Sequence, residues 1–256
     1  MLKCSSWVRR PKAGRGITLP QNNGLLAALT ADELQRIQFR PEPVHLLLGE
    51  VLYEAGAELS HVYFPLSCIV SLLYVMADGA SAEIAVVGRE GVVGIALFMG
   101  GGSTPSRAIV QSAGDAYRIP ATLVKAEFER YGELHHRFLR YTQALLTQMA
   151  QTAVCNRHHT VDQQLCRRLL LSLDCLDSNE LSMTQELIAN MLGVRREGVN
   201  HAAGKLQSSG IIRYNHGNIT VLDRPRLEER ACECYAVVKA EVDRLLAWNF
   251  VSPAAA

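Results

Sequence analysis

Between Asn23 and Ile37 the apolar positions Leu25, Leu26, Leu29, Leu34 and Ile37 fall at helical spacing, and Thr30 with Glu33 three residues on forms a capping-box pattern. A short helical entry segment is expected there. From Val44 to about Pro120 the texture changes to β-branched and aromatic runs broken by turn residues, among them Val62-Tyr63-Phe64, Ile69 to Val75, Ala82 to Val87 and Ala108 to Gln111. Glycines punctuate these runs, and Ala77-Asp78-Gly79 has the chemistry of a hairpin turn. Many short strands at intervals of about ten residues predict an antiparallel β-roll or jelly roll.

Beyond Pro120 the period becomes helical. Leu134, Phe138, Tyr141, Leu145, Met149 and Thr152 recur at alternating steps of four and three, as in a coiled-coil seam. This stripe predicts homodimerisation through those six residues; packing on the roll of the same chain is the alternative. A helix from Thr160 to about Leu173, a polar break at Asp177-Ser178-Asn179, a helix from Thr184 to Leu192, a turn at Gly193 and a helix to about Gln207 follow. Ile211 to Tyr214 and Ile219 to Leu222 flank Asn215 to Asn218 as a hairpin, a candidate wing. One further helix is expected past Asp223-Arg224-Pro225, to about Trp248, with Leu227, Ala231, Tyr235, Val238, Val242 and Leu245 on one side.

The expected class is α+β, divided into a disordered basic tail over residues 1–22, a sensory β-roll over 23–125, a dimerisation helix over 126–159 and a DNA-binding domain over 160–250. The formal net charge of +1 on 256 residues rules out a globally basic chain, so any nucleic-acid contact must come from a local arrangement of Lys and Arg. The longest mostly apolar stretches, Cys68 to Ala77 and Val92 to Gly102, fall short of the roughly 20 residues that span a bilayer. A cytoplasmic protein without membrane contact is expected. The seven cysteines, at 4, 68, 155, 166, 175, 232 and 234, lack disulfide-framework or zinc-knuckle spacing. Cys232 and Cys234 lie in a segment read as helix, where positions two apart point to nearly opposite faces. No metal site and no cofactor are expected; His158-His159 reads as an exposed hinge, with metal binding as the alternative.

Leu192-Gly193-Val194 joins two helices across a glycine, as a helix-turn-helix requires. In the second helix Val199, Ala202, Ala203 and Leu206 gather on one side, opposite Arg196, Glu197, Asn200, His201 and Gly204. One face packs, and the other is equipped to read bases: Arg can donate twice to guanine, Asn can pair with adenine and Glu can accept from cytosine. Arg195 and Lys205 add cations to this helix. Gly204, at the centre of the polar face, would permit close approach to DNA.

The segments Leu181-Ser182-Met183-Thr184-Gln185-Glu186-Leu187-Ile188-Ala189 and Leu192-Gly193-Val194-Arg195-Arg196-Glu197-Gly198-Val199 resemble the helix-turn-helix of the CRP/FNR family of regulators. The resemblance extends through the wing and, less sharply, into the roll at Gly49-Glu50-Val51-Leu52-Tyr53 and Gly88-Arg89-Glu90-Gly91. It implies a cyclic-nucleotide-binding-type roll, a dimerising helix and a winged helix-turn-helix. It places Arg196, Glu197 and His201 at base-reading positions and Thr184 and Gln185 at a phosphate-contacting helix start. Double-stranded DNA, a second copy of the chain and RNA polymerase are the implied partners. The family usually has Ser or Thr where Arg195 stands and a hydroxyl residue where Gly198 stands, so base preference does not transfer.

In nucleotide-binding members a Gly-Glu pair grips the ribose and an Arg followed by a small hydroxyl residue holds the cyclic phosphate. The matching residues here are Gly94-Ile95 and Arg107-Ala108. Without the carboxylate the ribose hydroxyls would lose their acceptor, so cyclic AMP is not the expected ligand. Arg107 remains a candidate anchor for a small anionic effector, with pairing inside its own domain, near Glu90 for example, as the alternative. One cysteine near the N-terminus is too few for an iron–sulfur cluster, and His45, His61 and Cys68 read as isolated surface or core residues rather than haem ligands. No nucleophile–base pair, metal triad or phosphate loop suggests an enzyme; Gly100-Gly101-Gly102 lacks the Gly-Lys-Ser/Thr ending of a P-loop. The rival function is a dimeric sensory or scaffold protein that acts through a protein partner.

Overall fold

The computed structural model describes residues 22–36, 42–176 and 178–246. The expected basic tail, apart from Asn22, lies outside them, as does the end of the C-terminal helix at Trp248. Two short helices open the described chain, α1 (Gly24–Ala27) and α2 (Ala31–Arg36). The Thr30 amide donates to Glu33 Oε2 (2.9 Å) and the Glu33 amide to Thr30 Oγ1 (3.3 Å), closing the capping box.

The roll is built from β1 (Glu42–Leu46), β2 (Val51–Tyr53), β3 (His61–Pro65), β4 (Ile69–Val75), β5 (Ser81–Val87), β6 (Arg107–Ser112) and β7 (Gly114–Pro120). They form two antiparallel sheets, ordered β1-β7-β3 and β2-β6-β4-β5. Gly79 (φ 86°) turns the β4–β5 hairpin, whose turn is closed by the Met76 amide on Ala80 O (2.7 Å). Alternation buries Val62, Phe64, Val70, Leu72, Ala85, Val87, Ala108 and Val110 between the sheets.

After α3 (Ala121–Phe128) comes α4 (Glu133–His158), about 39 Å long at 1.5 Å per residue. Its Leu134, Phe138, Tyr141 and Leu145 are buried in the same core as the strands of their own chain, with Met149 packed at the margin. Phe138 sits 4.6 Å from the Phe98 ring, centroid to centroid. Tyr141 closes on Gly91, where a built Cβ would lie 2.3 Å from the Tyr141 hydroxyl. Thr152 is tied within the chain too, accepting from Arg167 Nη2 at 2.6 Å. The seam expected from periodicity is therefore corrected to its alternative: Leu134, Phe138, Tyr141 and Leu145 close the roll of their own chain, because an apolar helix stripe and the apolar face of a sheet bury each other. The face of α4 left open carries Leu139, Gln143, Leu146, Ala150 and Ala153, again at alternating steps of four and three, with Leu139 and Leu146 44% and 50% exposed.

The C-terminal part comprises α5 (Val161–Asp174), β8 (Glu180–Ser182), α6 (Gln185–Leu192), α7 (Arg196–Ser208), β9 (Ile212–Asn215), β10 (Asn218–Val221), α8 (Arg224–Arg230) and α9 (Glu233–Leu246). Strands β8, β10 and β9 make a small antiparallel sheet. The two-residue loop His216-Gly217, with φ of 46° and 84°, turns the wing. Ile69 and Val86 of the roll share a core with Leu169, Leu170, Ile188 and Val199, so the two parts pack together. The single helix expected after Pro225 is two: Ala231 is extended (ψ 159°) and Cys232 precedes α9. The apolar spacing runs straight through this break, which is why the pattern concealed it. Among the described residues no helix is long and apolar enough to cross a membrane.

Candidate nucleic-acid interface

Thr184 caps α6, its hydroxyl accepting from the Leu187 amide at 3.1 Å. At the other end Gly193 adopts φ 65°, and its amide returns to Ala189 O. The sharp turn that follows aims α7 outward. Val199, Ala202, Ala203 and Leu206 are buried in the core, while Arg195, Arg196, Glu197, Asn200, His201, Gly204 and Lys205 are exposed. A Cβ built at Gly204 meets nothing within 4 Å, so packing does not require glycine there.

The polar face is partly organised from within. Gln185 Nε2 donates to Asn200 Oδ1 (3.0 Å), tying the start of α6 to α7. Asn200 therefore keeps its amide hydrogens and the second lone pair of Oδ1 for an external partner, so a two-bond contact to adenine would share that oxygen with Gln185. Lys205 Nζ is drawn to Asp162 Oδ2 on α5 (2.7 Å) and lies at the edge of the face. Arg195 stands at the N-cap of α7 without a side-chain capping bond, which leaves amide donors of the first turn to an outside acceptor. Thr184, Gln185, Glu186, Arg196, Tyr214, His216 and Gly217 line one shallow concavity between α6, α7 and the wing. The wing contributes Tyr214 and His216; the sequence shows them only as part of a hairpin, and the pairing of β10 with β8 brings them beside α6.

The roll residues match the expectation less closely. Gly94 (φ 114°) opens a 3-10 turn at Ile95–Leu97, Ile95 is half-buried against the roll core, and Ala108 is fully buried on β6. Arg107 Nη2 pairs with Glu54 Oε1 at 3.1 Å. The neighbour suggested in sequence, Glu90, is half-buried elsewhere and accepts from the Gly88 amide at 2.8 Å. The hinge reading of His159 also changes: its side chain is only 13% exposed and faces Glu233 at 3.3 Å, because the α8–α9 break folds back over the end of α4.

Residues 43–131 match the cyclic nucleotide-binding domain family, and residues 163–230 match the Crp-like helix-turn-helix domain family. The nitrogen fixation regulation protein FixK of Bradyrhizobium diazoefficiens is 26% identical over 225 residues, covering 82% of this chain and 91% of that protein. A transcriptional regulator of the CRP/FNR family from Eubacterium rectale superposes with a TM-score of 0.62 at 18% identity, over 78% of this chain and 94% of that one. FixK2 from Bradyrhizobium japonicum superposes with a TM-score of 0.61 at 15% identity, over 75% and 98%. With a cyclic-nucleotide-binding-type roll, a long helix and a helix-turn-helix in this order, the chain belongs to the CRP/FNR family of transcription regulators.

Proposed function

We propose that the chain acts as a homodimer on an inverted-repeat operator, each α7 entering a major groove about 34 Å from its partner. The observation that carries this is the division of α7: an apolar side in the core and a solvent-facing side holding Arg196, Glu197, His201 and Gly204 next to Thr184 and Gln185. Arg196 and Glu197 read bases and Thr184 and Gln185 hold phosphate, while Asn200 positions Gln185. Lys205, paired with Asp162, contributes to the local field.

The dimer forms through the open face of α4, Leu139, Gln143, Leu146, Ala150 and Ala153, whose heptad spacing suits an identical helix across a two-fold axis. The Glu54–Arg107 pair supports a roll that does not take cyclic AMP: the guanidinium already has a carboxylate where a cyclic phosphate would need it. A small anionic effector would have to displace Glu54, and the roll would bias the orientation of the helix-turn-helix only if that effector preferred one state. RNA polymerase is the protein partner such a regulator addresses.

Selection of bound sequences from a random DNA pool tests this. The wild-type chain and Arg107→Ala should enrich the same palindrome, and Arg196→Ala should not. Failure of every protein to enrich DNA, with binding that does not weaken in salt, would favour a scaffold acting on a protein partner.

A further inference from the structure

The α8–α9 break brings together four side chains that are far apart in sequence. Cys155 near the end of α4, His159 just beyond it, Cys232 in the break and Cys234 in the first turn of α9 have ligand atoms all within 4.8 Å of one another. Cys155 Sγ is 3.5 Å from Cys232 Sγ, and Cys234 Sγ is 3.6 Å from His159 Nδ1. The thiols are buried, with 0%, 4% and 1% of Cys155, Cys232 and Cys234 exposed. Buried cysteines alone pack as small hydrophobes. A tetrahedral zinc with sulfur at 2.3 Å has ligand–ligand edges of about 3.8 Å; the 3.5 and 3.6 Å pairs lie close to that, and small side-chain rotations would draw the four atoms, already within 4.8 Å, onto one ion.

The surroundings are those of a ligand set. With Nδ1 facing Cys234, His159 turns Nε2 to Glu233 Oε1 at 3.3 Å, the carboxylate–histidine arrangement that fixes a metal-binding tautomer. The Gln164 amide holds the His159 carbonyl at 2.9 Å. Arg167, 4% exposed and donating to Thr152, acts on Cys155 and Cys234 as their nearby cation. Three thiolates and one divalent ion carry a net charge of −1, which Arg167 offsets.

We propose that Cys155, His159, Cys232 and Cys234 form a closed Cys3His structural zinc site, which staples the end of the long helix to the α8–α9 turn. Sulfur and imidazole donors in a tetrahedral set select zinc over hard cations. The site fixes the hinge at which α4 hands over to α5, and it is independent of whether or what DNA is bound.

The test uses the full-length chain, purified under reductant without chelator. One zinc per chain is expected by elemental analysis. After zinc removal, cobalt(II) should give the visible absorption of a tetrahedral ion and a thiolate charge-transfer band. A Cys232→Ser/Cys234→Ser double variant should lose both, while Cys68→Ser in the roll keeps them. Glu233→Gln leaves every ligand in place and should weaken zinc about 10- to 100-fold against a competing chelator. Metal removal should lower the thermal midpoint of the wild-type chain and not of the double variant. Folded wild-type protein with no zinc and no cobalt spectrum, full metal in the double variant, or a Cys155–Cys232 disulfide in the reduced preparation would overturn the site.

Discussion

Arg168 on α5 donates to Glu83 on β5 across 2.7 Å, with 3% and 7% of their side chains exposed, where the helix-turn-helix part meets the roll. Gln111 and Ser172 also accept from the guanidinium. Desolvation outweighs pairing for both partners: burial holds the Glu83 carboxyl above the ordinary carboxylate range and the Arg168 guanidinium below its usual value. The pair therefore specifies how the two parts dock more than it stabilises them. Arg168→Leu, which strands the carboxylate, should cost about 3 to 5 kcal/mol, and adding Glu83→Leu should recover much of that. Chemical denaturation of the two variants checks it; an additive double variant would refute the coupling.

Gly204→Leu should abolish operator binding without lowering the thermal midpoint. Its Cβ meets only solvent, and replacing an exposed helical glycine recovers up to about 1 kcal/mol of propensity. Unchanged affinity in a gel-shift titration would place Gly204 away from DNA.

Arg195→Ser should stabilise the fold by about 0.5 to 1 kcal/mol, because serine caps the amides that Arg195 leaves open. Arg195→Ala should not. If the open first turn receives a phosphate, Arg195→Ser should also weaken DNA binding by fluorescence anisotropy.

The two stripes of α4 should respond oppositely. Leu146→Glu on the open face should leave the monomer folded and move it to half mass in sedimentation equilibrium. Phe138→Ala, buried against Phe98, should cost about 3 to 5 kcal/mol of stability in the monomer. A dimeric Leu146→Glu would exclude this face.

Burial raises the Glu90 carboxyl, which faces the Cys175 thiol, the Tyr141 phenol and the charge of Asp174. As pH climbs past about 4.3 the unfolded chain releases its proton first. Folded protein, holding its own more tightly, then loses stability until the raised value is passed, and stays level above it. Glu90→Gln should remove this fall, so its urea midpoint relative to wild type should rise with pH. A constant difference between pH 4 and 7 would count against it.

Local chemistry carried much of this protein into plain view. Strand alternation, the Asp78-Gly79 turn, the Thr30–Glu33 box, Gly193 and the wing loop are each decided by a few neighbouring residues, and a division of α7 into packed and polar sides follows from 100° per residue alone. The short strand β8 escaped, because three residues carry no period; it exists by pairing with β10.

Tertiary structure decided the rest. Periodicity can show that α4 has apolar stripes, but which stripe meets the roll depends on where the sheets leave an opening, beside Gly91 and Phe98. The partner of Arg107 depends on the loop that carries Glu54, and the partner of Arg168 on how two parts dock. Most of all, Cys155 and Cys232 are 77 positions apart, and only the backbone break before α9 turns two thiols that a continuous helix would separate toward one point. Sequence by itself determines elements because their causes are short-range; it leaves convergent sites open because those are made by chain reversals that no local pattern encodes.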